Sequence, residues 1–214
     1  MKQTAPLDLQ CMAQLQATAA SALVWHAGQL ILVADDDVLL QCYSLDGEFL
    51  GEHALLDERW PREAKARKAV KADFEILCQL PNGWLLALGS GSTPSRRRGV
   101  LWRSGESRII DPGPLYLALE QQIPQLNLEG AVVLGSQLLL AQRGNAAASS
   151  NALIGLDLAR AMTQLELGRL DAQCLLEIVP LELGQLGDVP LSITDLCLDL
   201  QGRLLFSAAA EDTA

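Results

Sequence analysis

Aromatic residues and histidines are scarce in this chain of 214 residues. Aromatics make up 4% of the sequence, and the histidines are His26 and His53. With so few rings available, we expect a core built from Leu, Val, Ile and Ala. A Ser–His hydrolase is disfavoured, because the nucleophile pattern G-x-S-x-G is absent and His26 follows Trp25 in a predicted strand.

Basic residues are also in the minority, with 16 Lys and Arg against 26 Asp and Glu and a formal net charge of -10. Binding to nucleic acid or to an anionic membrane needs basic patches, so neither is an expected partner. No apolar run approaches the ~20 residues of a membrane helix. Asp8 interrupts the apolar stretch that a secretory signal would need, which favours a cytoplasmic location.

Cysteine spacing gives no sign of a metal or redox motif. The five cysteines form no C-x-x-C pair, and their number is odd. Cys42, Cys78 and Cys197 sit inside apolar strand patterns. The pattern predicts buried free thiols in a reducing compartment.

What the chain does contain is a repeated unit, clearest between residues 127 and 158 (NLEGAVVLGSQLLLAQRGNAAASSNALIGLDL). This unit reads as an acid, a strand, a tight turn, a second strand, a polar loop and a third strand. Imperfect copies of it precede and follow. Repeats of about 50 residues, each an antiparallel meander, predict an all-β fold of the β-propeller type. A β-sandwich built from the same meanders is the alternative.

We expect a single propeller domain over residues 1–214, made of four-stranded antiparallel blades. About four blades are visible, the last of them incomplete, at roughly 21–56, 73–122, 127–186 and 189–214. Either the N-terminal segment supplies missing strands or the sequence is a truncated form of a longer protein. Truncation would leave an open edge strand through which the chain could self-associate.

Strand order predicts where a site would form. The connections into the first strand and between the second and third strands lie at one edge of each blade. First strands line the central channel of a propeller. Three acids precede the second strands at nearly the same distance, so we expect them to converge at one mouth of the channel: Glu75, Glu129 and Asp195. Four loops should ring the same face, at 35–37, 89–98, 143–151 and 208–213.

Several acids at one point repel each other unless they are paired or metal-bound. The sharper hypothesis is a divalent cation such as Ca²⁺ held by Glu75, Glu129 and Asp195, with asparagine side chains near at hand. The alternative is that each acid pairs with an arginine or accepts backbone hydrogen bonds and so fastens neighbouring blades.

The loop GSGSTPSRRR at 89–98 is rich in Gly and Ser and then basic, so its amides and guanidinium groups could cradle a phosphate. It is not a P-loop, because no Gly-Lys-Ser/Thr ends it. The ligand-binding residues predicted for a small anion are Arg96, Arg97, Arg98, Arg143 and Asn145. The alternative is a solvated hairpin loop. The run 35–37 (DDD) is predicted to be a solvated turn.

Several segments together resemble an uncharacterised bacterial propeller family of unknown function. They are KADFEIL, LLALGSGSTPSRRRGVLW, NLEGAVVLGSQLLLAQRGN, NALIGLDL and VPLSITDLCLDLQGRLLFSAAAEDT. The resemblance covers most of the chain from about Leu23 onward. That family is in turn distantly similar to the esterase-like domain of phytase-type proteins. The resemblance implies the propeller fold and a shared face built around Glu75, Glu129, Arg143, Asn145 and Asp195, and it brings no established activity.

Three functions stay open at this point. The first is a metal-assisted hydrolase of a phosphate ester or lactone, with Glu129 and Asp195 as catalytic residues. The second is a non-catalytic module that binds a small anion or a protein on the same face. The third is a structural propeller without pocket chemistry, since the fold does not choose between them.

Overall fold

The computed structural model describes residues 10–58, 60–61, 63–144 and 150–211. Their strands form four successive antiparallel sheets of four, four, four and three strands. The strands of the first two sheets are β1 (Ala20–His26), β2 (Gln29–Ala34), β3 (Leu39–Tyr43), β4 (Phe49–Ala54), β5 (Phe74–Gln79), β6 (Leu85–Gly89), β7 (Gly99–Arg103) and β8 (Glu106–Ile110).

The third and fourth sheets follow the same plan. Their strands are β9 (Leu128–Leu134), β10 (Gln137–Gln142), β11 (Asn151–Asp157), β12 (Leu175–Leu181), β13 (Gln185–Leu186), β14 (Val189–Leu198) and β15 (Leu204–Ala210). In the last sheet the short β13 pairs with the start of β14, and β15 pairs with its other side.

In the described part of the chain, three short α-helices lie in the connections between strands. They are α1 (Ala64–Val70), α2 (Gly113–Glu120) and α3 (Leu158–Glu166). Helix α1 begins where the Glu63 side chain accepts hydrogen bonds from the amides of Lys65 and Ala66. No helix among the described residues is both long and apolar enough to cross a membrane.

The first long strand of each sheet lies next to its counterpart in the following sheet, in the order β1, β5, β9, β14. These four are the inner strands. In the first three sheets the remaining strands follow outward in chain order, and in the fourth β15 lies outside β14 while β13 pairs with the start of β14, so each sheet is a blade. This arrangement confirms the predicted β-propeller of about four blades with a shorter last one.

Alternating apolar side chains explain why the blades stack face to face. On β6, Leu86 and Leu88 belong to a core shared with the third blade, whereas Leu85 and Ala87 belong to a core shared with the first. Strand β10 repeats this rule between the second and fourth blades. Successive side chains of a strand point to opposite faces, so a strand that is apolar at every position is buried on both faces. Such strands exclude the β-sandwich alternative, in which each sheet has one buried face.

The cysteines are free, and burial differs among those predicted to be in the core. Cys42 and Cys78 are buried as expected, but Cys197 is exposed. The apolar pattern around Cys197 misled the prediction because the last blade has no described neighbour on its far face.

Candidate functional site at the channel mouth

Each inner strand carries a β-bulge at the same place, which leaves one residue without a partner in the ladder. On β1 the extra residue is Ser21, because Ala20 pairs with Ala34 and Ala22 pairs with Val33. The equivalent residues on β5, β9 and β14 are Glu75, Glu129 and Thr194. Bulges re-aim a side chain at the rim of a sheet. This repeated bulge carries the two glutamates to the channel mouth.

The bulge also corrects the expected position of Asp195. Asp195 is paired with Ser207 in the ladder and is therefore equivalent to Gly130, one position beyond Glu129. A methyl group placed on Gly130 would lie 2.9 Å from a carboxylate oxygen of Asp195, so the two positions are adjacent across the blades. A shift of one residue turns a side chain to the other side of a strand. Asp195 accordingly lines the channel and lies apart from the two glutamates.

The two glutamates open into a cleft of about 420 Å³ at the channel mouth, which we call the charged cleft. Its walls come from β5, β9, helix α1 and the adjoining loops. Its lining residues are Asp35, Asp36, Arg67, Lys68, Lys71, Asp73, Glu75, Arg96, Asn127 and Glu129.

Lys71 is the centre of an ion-pair network on one wall of the charged cleft. Its ammonium contacts the carboxylates of Asp35 and Asp73, the latter at 2.7 Å. Arg96 reaches the other oxygen of Asp73 at 3.0 Å, and the buried Ser90 hydroxyl donates to the same oxygen at 2.6 Å. Burial works to lower the pKa of Lys71, but its hydrogen bonds to the two carboxylates outweigh burial and raise it. Lys71 is therefore charged at neutral pH.

Glu75 stands beside this network without a cation of its own. Among the described residues, no lysine or arginine forms an ion pair with it. Burial, followed by the charges of Glu129 and Asp73, raises the pKa of Glu75 from 4.5 to about 8, although the Ser21 side chain nearby works to lower it. The cleft therefore holds a carboxyl group that keeps its proton at neutral pH.

The negative charge of Glu129 is better compensated than that of Glu75. Its Oε1 accepts a hydrogen bond from the Asn127 amide at 2.5 Å and lies 3.4 Å from Arg143. Burial raises the pKa of Glu129 to about 7, and the two partners limit that rise. Two neighbouring carboxyl groups with different proton affinities thus share the cleft.

Three carboxylates of the cleft are close enough to hold one cation. Single oxygens of Asp35, Asp73 and Glu75 lie within 4.8 Å of one another. This group differs from the predicted set, since it shares only Glu75 with it. Asp73 was not among the predicted site residues. It directly precedes strand β5, and its φ of 56° turns the chain at that point, which the sequence does not reveal.

Comparison with known proteins places the chain in a family. The model of a family of unknown function, DUF6929, matches residues 16–214. The chain belongs to this DUF6929 family. No curated protein matches it. Among solved structures it is similar to the WD40 repeats of RRP9, with 9% identity over 83% of this chain and 41% of that one and a TM-score of 0.41.

Two further structures resemble the DUF6929 chain to the same degree. U3-55K is 9% identical over 83% of this chain and 42% of its own, with a TM-score of 0.42. The computationally designed Ika4 protein is 13% identical over 94% of this chain and 99% of its own, with a TM-score of 0.39. The chain thus spans about two fifths of the length of the two natural structures. The similarity to phytase-type proteins stays a prediction.

The arginine loop of the DUF6929 chain spreads its three guanidinium groups in different directions. Arg96 lines the charged cleft, where it also donates to Ser92 at 2.8 Å. Arg97 pairs with Glu120 of helix α2 at 2.5 Å, and Arg98 pairs with Glu58 at 3.5 Å. A short 3₁₀ turn over Pro94–Arg96 produces this divergence. The loop therefore presents one arginine to the cleft and uses the other two to hold neighbouring segments.

The remaining predicted ligand residues lie near Glu129 or beyond the described chain. Arg143 pairs with Glu129 and with Glu211, so it bridges the third and fourth blades. Asn145 lies outside the described residues. Asn151, another asparagine of the same loop, is 8% exposed and accepts hydrogen bonds from the amides of Gly144 and Ile193 at 3.1 and 2.8 Å. Asn151 therefore fastens the third blade to the fourth.

Proposed function

We propose that the charged cleft binds a divalent cation and that this chain is a ligand-binding propeller built around that ion. The observation that carries the proposal is the group of three carboxylates, Asp35, Asp73 and Glu75, whose oxygens lie within 4.8 Å of one another. All of these donors are hard oxygens, and Asn127 adds an amide oxygen in the same cleft. Ca²⁺ and Mg²⁺ prefer such donors.

Lys71 occupies the position of a competing cation. Its ammonium already contacts Asp35 and Asp73, and its side chain is 9% exposed. An ammonium on a flexible four-carbon stem can move away when a divalent ion enters. In the metal-free chain Lys71 would then neutralise the carboxylates. Because the ion has to displace this ammonium, Lys71 would also lower the apparent affinity for the metal.

Glu75 makes metal binding depend on pH. Its pKa of about 8 means that the ion must displace a proton at neutral pH. Metal affinity should therefore rise as the pH rises through this value, with proton release on binding.

A second candidate function is metal-assisted hydrolysis of an anionic ester. The specific observation in its favour is Glu129, a carboxyl group with a pKa of about 7 next to the proposed ion. Such a group suits a general acid or base at neutral pH. Arg96 and Arg143 lie near it and carry the positive charge that an anionic substrate needs.

The first test is a thermal-shift titration with Ca²⁺, Mg²⁺ and Mn²⁺ after treatment with a chelator. We expect at least one of these ions to raise the melting temperature of the unmodified chain. Glu75→Gln should abolish the rise, and Asp35→Asn should weaken it. Asp37→Asn is the matched control, because Asp37 lies in the same turn but outside the group of three carboxylates.

Two results would contradict the proposal: no ion raises the melting temperature, or Glu75→Gln responds like the unmodified chain. Hydrolysis is tested separately with p-nitrophenyl phosphate as the substrate. Turnover that requires metal and is lost in Glu129→Gln supports the second candidate. Metal binding without turnover would support the ligand-binding function and exclude hydrolysis of this substrate.

A further inference from the structure

A second cavity lies between the four inner strands. Its volume is about 560 Å³, which falls within the ~300–1,000 Å³ of small-molecule sites. Each inner strand contributes a short run of residues to it, namely Leu23–Trp25 from β1, Leu77–Pro81 from β5 and the loop after it, Ala131–Val133 from β9 and Asp195–Leu198 from β14. None of these residues lines the charged cleft, so the two sites are distinct in the described part of the chain.

Among the described residues that line this channel cavity, only Asp195 carries a carboxylate. One of its oxygens accepts a hydrogen bond from the Leu196 amide at 2.7 Å. No lysine, arginine or histidine of the described chain forms an ion pair with it. Burial raises the pKa of Asp195 to about 6, so the group is ionised at neutral pH but lacks a positive partner.

The other titratable groups in the cavity do not supply that partner. Cys78 and Cys197 are its thiols. Burial raises the pKa of Cys78, and partial desolvation together with the charges of Asp195 and Asp199 raises the pKa of the more exposed Cys197. Both thiols are neutral at pH 7, and Gln79 is uncharged. The cavity thus combines one negative charge with walls made mostly of Leu, Val and Ala.

Trp25 adds an aromatic surface on the first inner strand. It is 53% exposed, and its neighbour on the same strand, Leu23, is 47% exposed. Large apolar side chains this accessible within a concave site are surfaces that a ligand can cover. An indole face also attracts a cation held near it.

We infer that the channel cavity binds a small molecule with an apolar body and one ammonium group. The ammonium pairs with the Asp195 carboxylate, and the body packs against the apolar inner strands and Trp25. Charge complementarity selects an amine over an alcohol or a carboxylate of the same shape. Apolar contact selects an alkyl or aryl amine over ammonium itself.

The experiment is isothermal titration calorimetry of the full chain with hexylamine, hexanol and hexanoate at pH 8. We expect hexylamine to bind at least tenfold more tightly than hexanol and hexanoate to bind least. Asp195→Asn should remove the preference for the amine over the alcohol, whereas Asp188→Asn, an exposed acid outside the cavity, should keep it. Hexylamine should also change the fluorescence of the chain, and Trp25→Leu should reduce that change.

A measurement on the unmodified chain covers the case in which Asp195→Asn does not fold. The preference for hexylamine over hexanol should shrink as the pH falls below 6, where Asp195 takes up a proton. Equal binding of the amine and the alcohol at pH 8, or a preference unchanged between pH 8 and pH 5, would overturn the inference. A preference that survives in a folded Asp195→Asn variant would overturn it too.

Discussion

Replacing Glu75 by glutamine should stabilise the chain at alkaline pH and leave it unchanged at mildly acidic pH. The pKa of Glu75 in the folded state is about 8, against an ordinary value of 4.5. Between these values the folded chain binds a proton that the unfolded chain does not. The free energy of unfolding therefore falls as the pH rises from 4.5 through 8. Glutamine resembles the protonated acid and has no such dependence.

The size of the effect follows from the pKa. Each tenfold change in proton affinity is worth about 1.4 kcal/mol, which gives an upper bound of roughly 5 kcal/mol for an isolated group. The charged cleft is open to solvent, and Glu75 shares its proton balance with Glu129, so screening and coupling reduce the effect. We expect about 2 kcal/mol at pH 9. For a domain of this size that corresponds to a rise in melting temperature of about 4–8 °C.

The assay is a series of thermal melts from pH 5 to pH 9 in the presence of a chelator. Glu52→Gln is the matched control, because it removes the same charge from an exposed position on β4. The curves of the unmodified chain and of Glu75→Gln should lie close together near pH 5, diverge steadily as the pH rises to about 8, and keep a constant separation above that value. Parallel curves across the whole range would refute the reasoning, since they would show that Glu75 has an ordinary pKa.

The other predictions concern the cleft and the contacts between blades. Lys71→Met should raise divalent-cation affinity at least tenfold in calorimetry, because the competing charge is gone; an unchanged or lower affinity would count against the competition. Asn151→Ala should lower the free energy of unfolding in urea by roughly 2–4 kcal/mol, since two buried amides lose their acceptor; a loss no larger than that of Asn82→Ala, in an exposed turn, would contradict this. Gly130→Ala should destabilise the chain by about 1–3 kcal/mol, because the new methyl would lie 2.7 Å from the Leu196 amide nitrogen. Thermal melts check this, and a melting temperature equal to that of the unmodified chain would show that the third and fourth blades accommodate the methyl without loss of stability.

The fold could be predicted because its signals are local. Strands such as β6 and β10 are continuous apolar runs between turn residues, and the repeat places them at regular intervals. A strand buried on both faces reads as such a run whatever its neighbours are. Glu75 and Glu129, which the same logic expected to converge, both line the charged cleft.

The finer geometry of the site depends on backbone details that leave no trace in spacing. Asp195 matches the two glutamates when residues are counted, but the bulge on β14 falls at Thr194. One residue of difference moves the acid from the mouth into the channel. A bulge inserts one extra residue into a strand, so counting residues along the chain does not show where it falls.

Long-range pairing explains the other omissions. Lys71 contacts Asp35 across 36 positions in sequence, and the approach is fixed by how helix α1 joins two blades. Consecutive arginines were expected to act together, yet a single 3₁₀ turn sends Arg96 into the cleft and Arg97 towards helix α2. Such contacts depend on tertiary packing, which cannot be recognised from the local sequence pattern.

The most direct test of the proposed cation site is the position of a bound ion. Crystals of the chain soaked in MnCl₂ would be measured at the manganese absorption edge, and the anomalous difference map would locate the metal. We predict a peak within coordination distance of the carboxylates of Asp73 and Glu75, with the Lys71 ammonium displaced from them. A map without a peak in the charged cleft, or with Lys71 still in contact with both Asp35 and Asp73, would contradict the account.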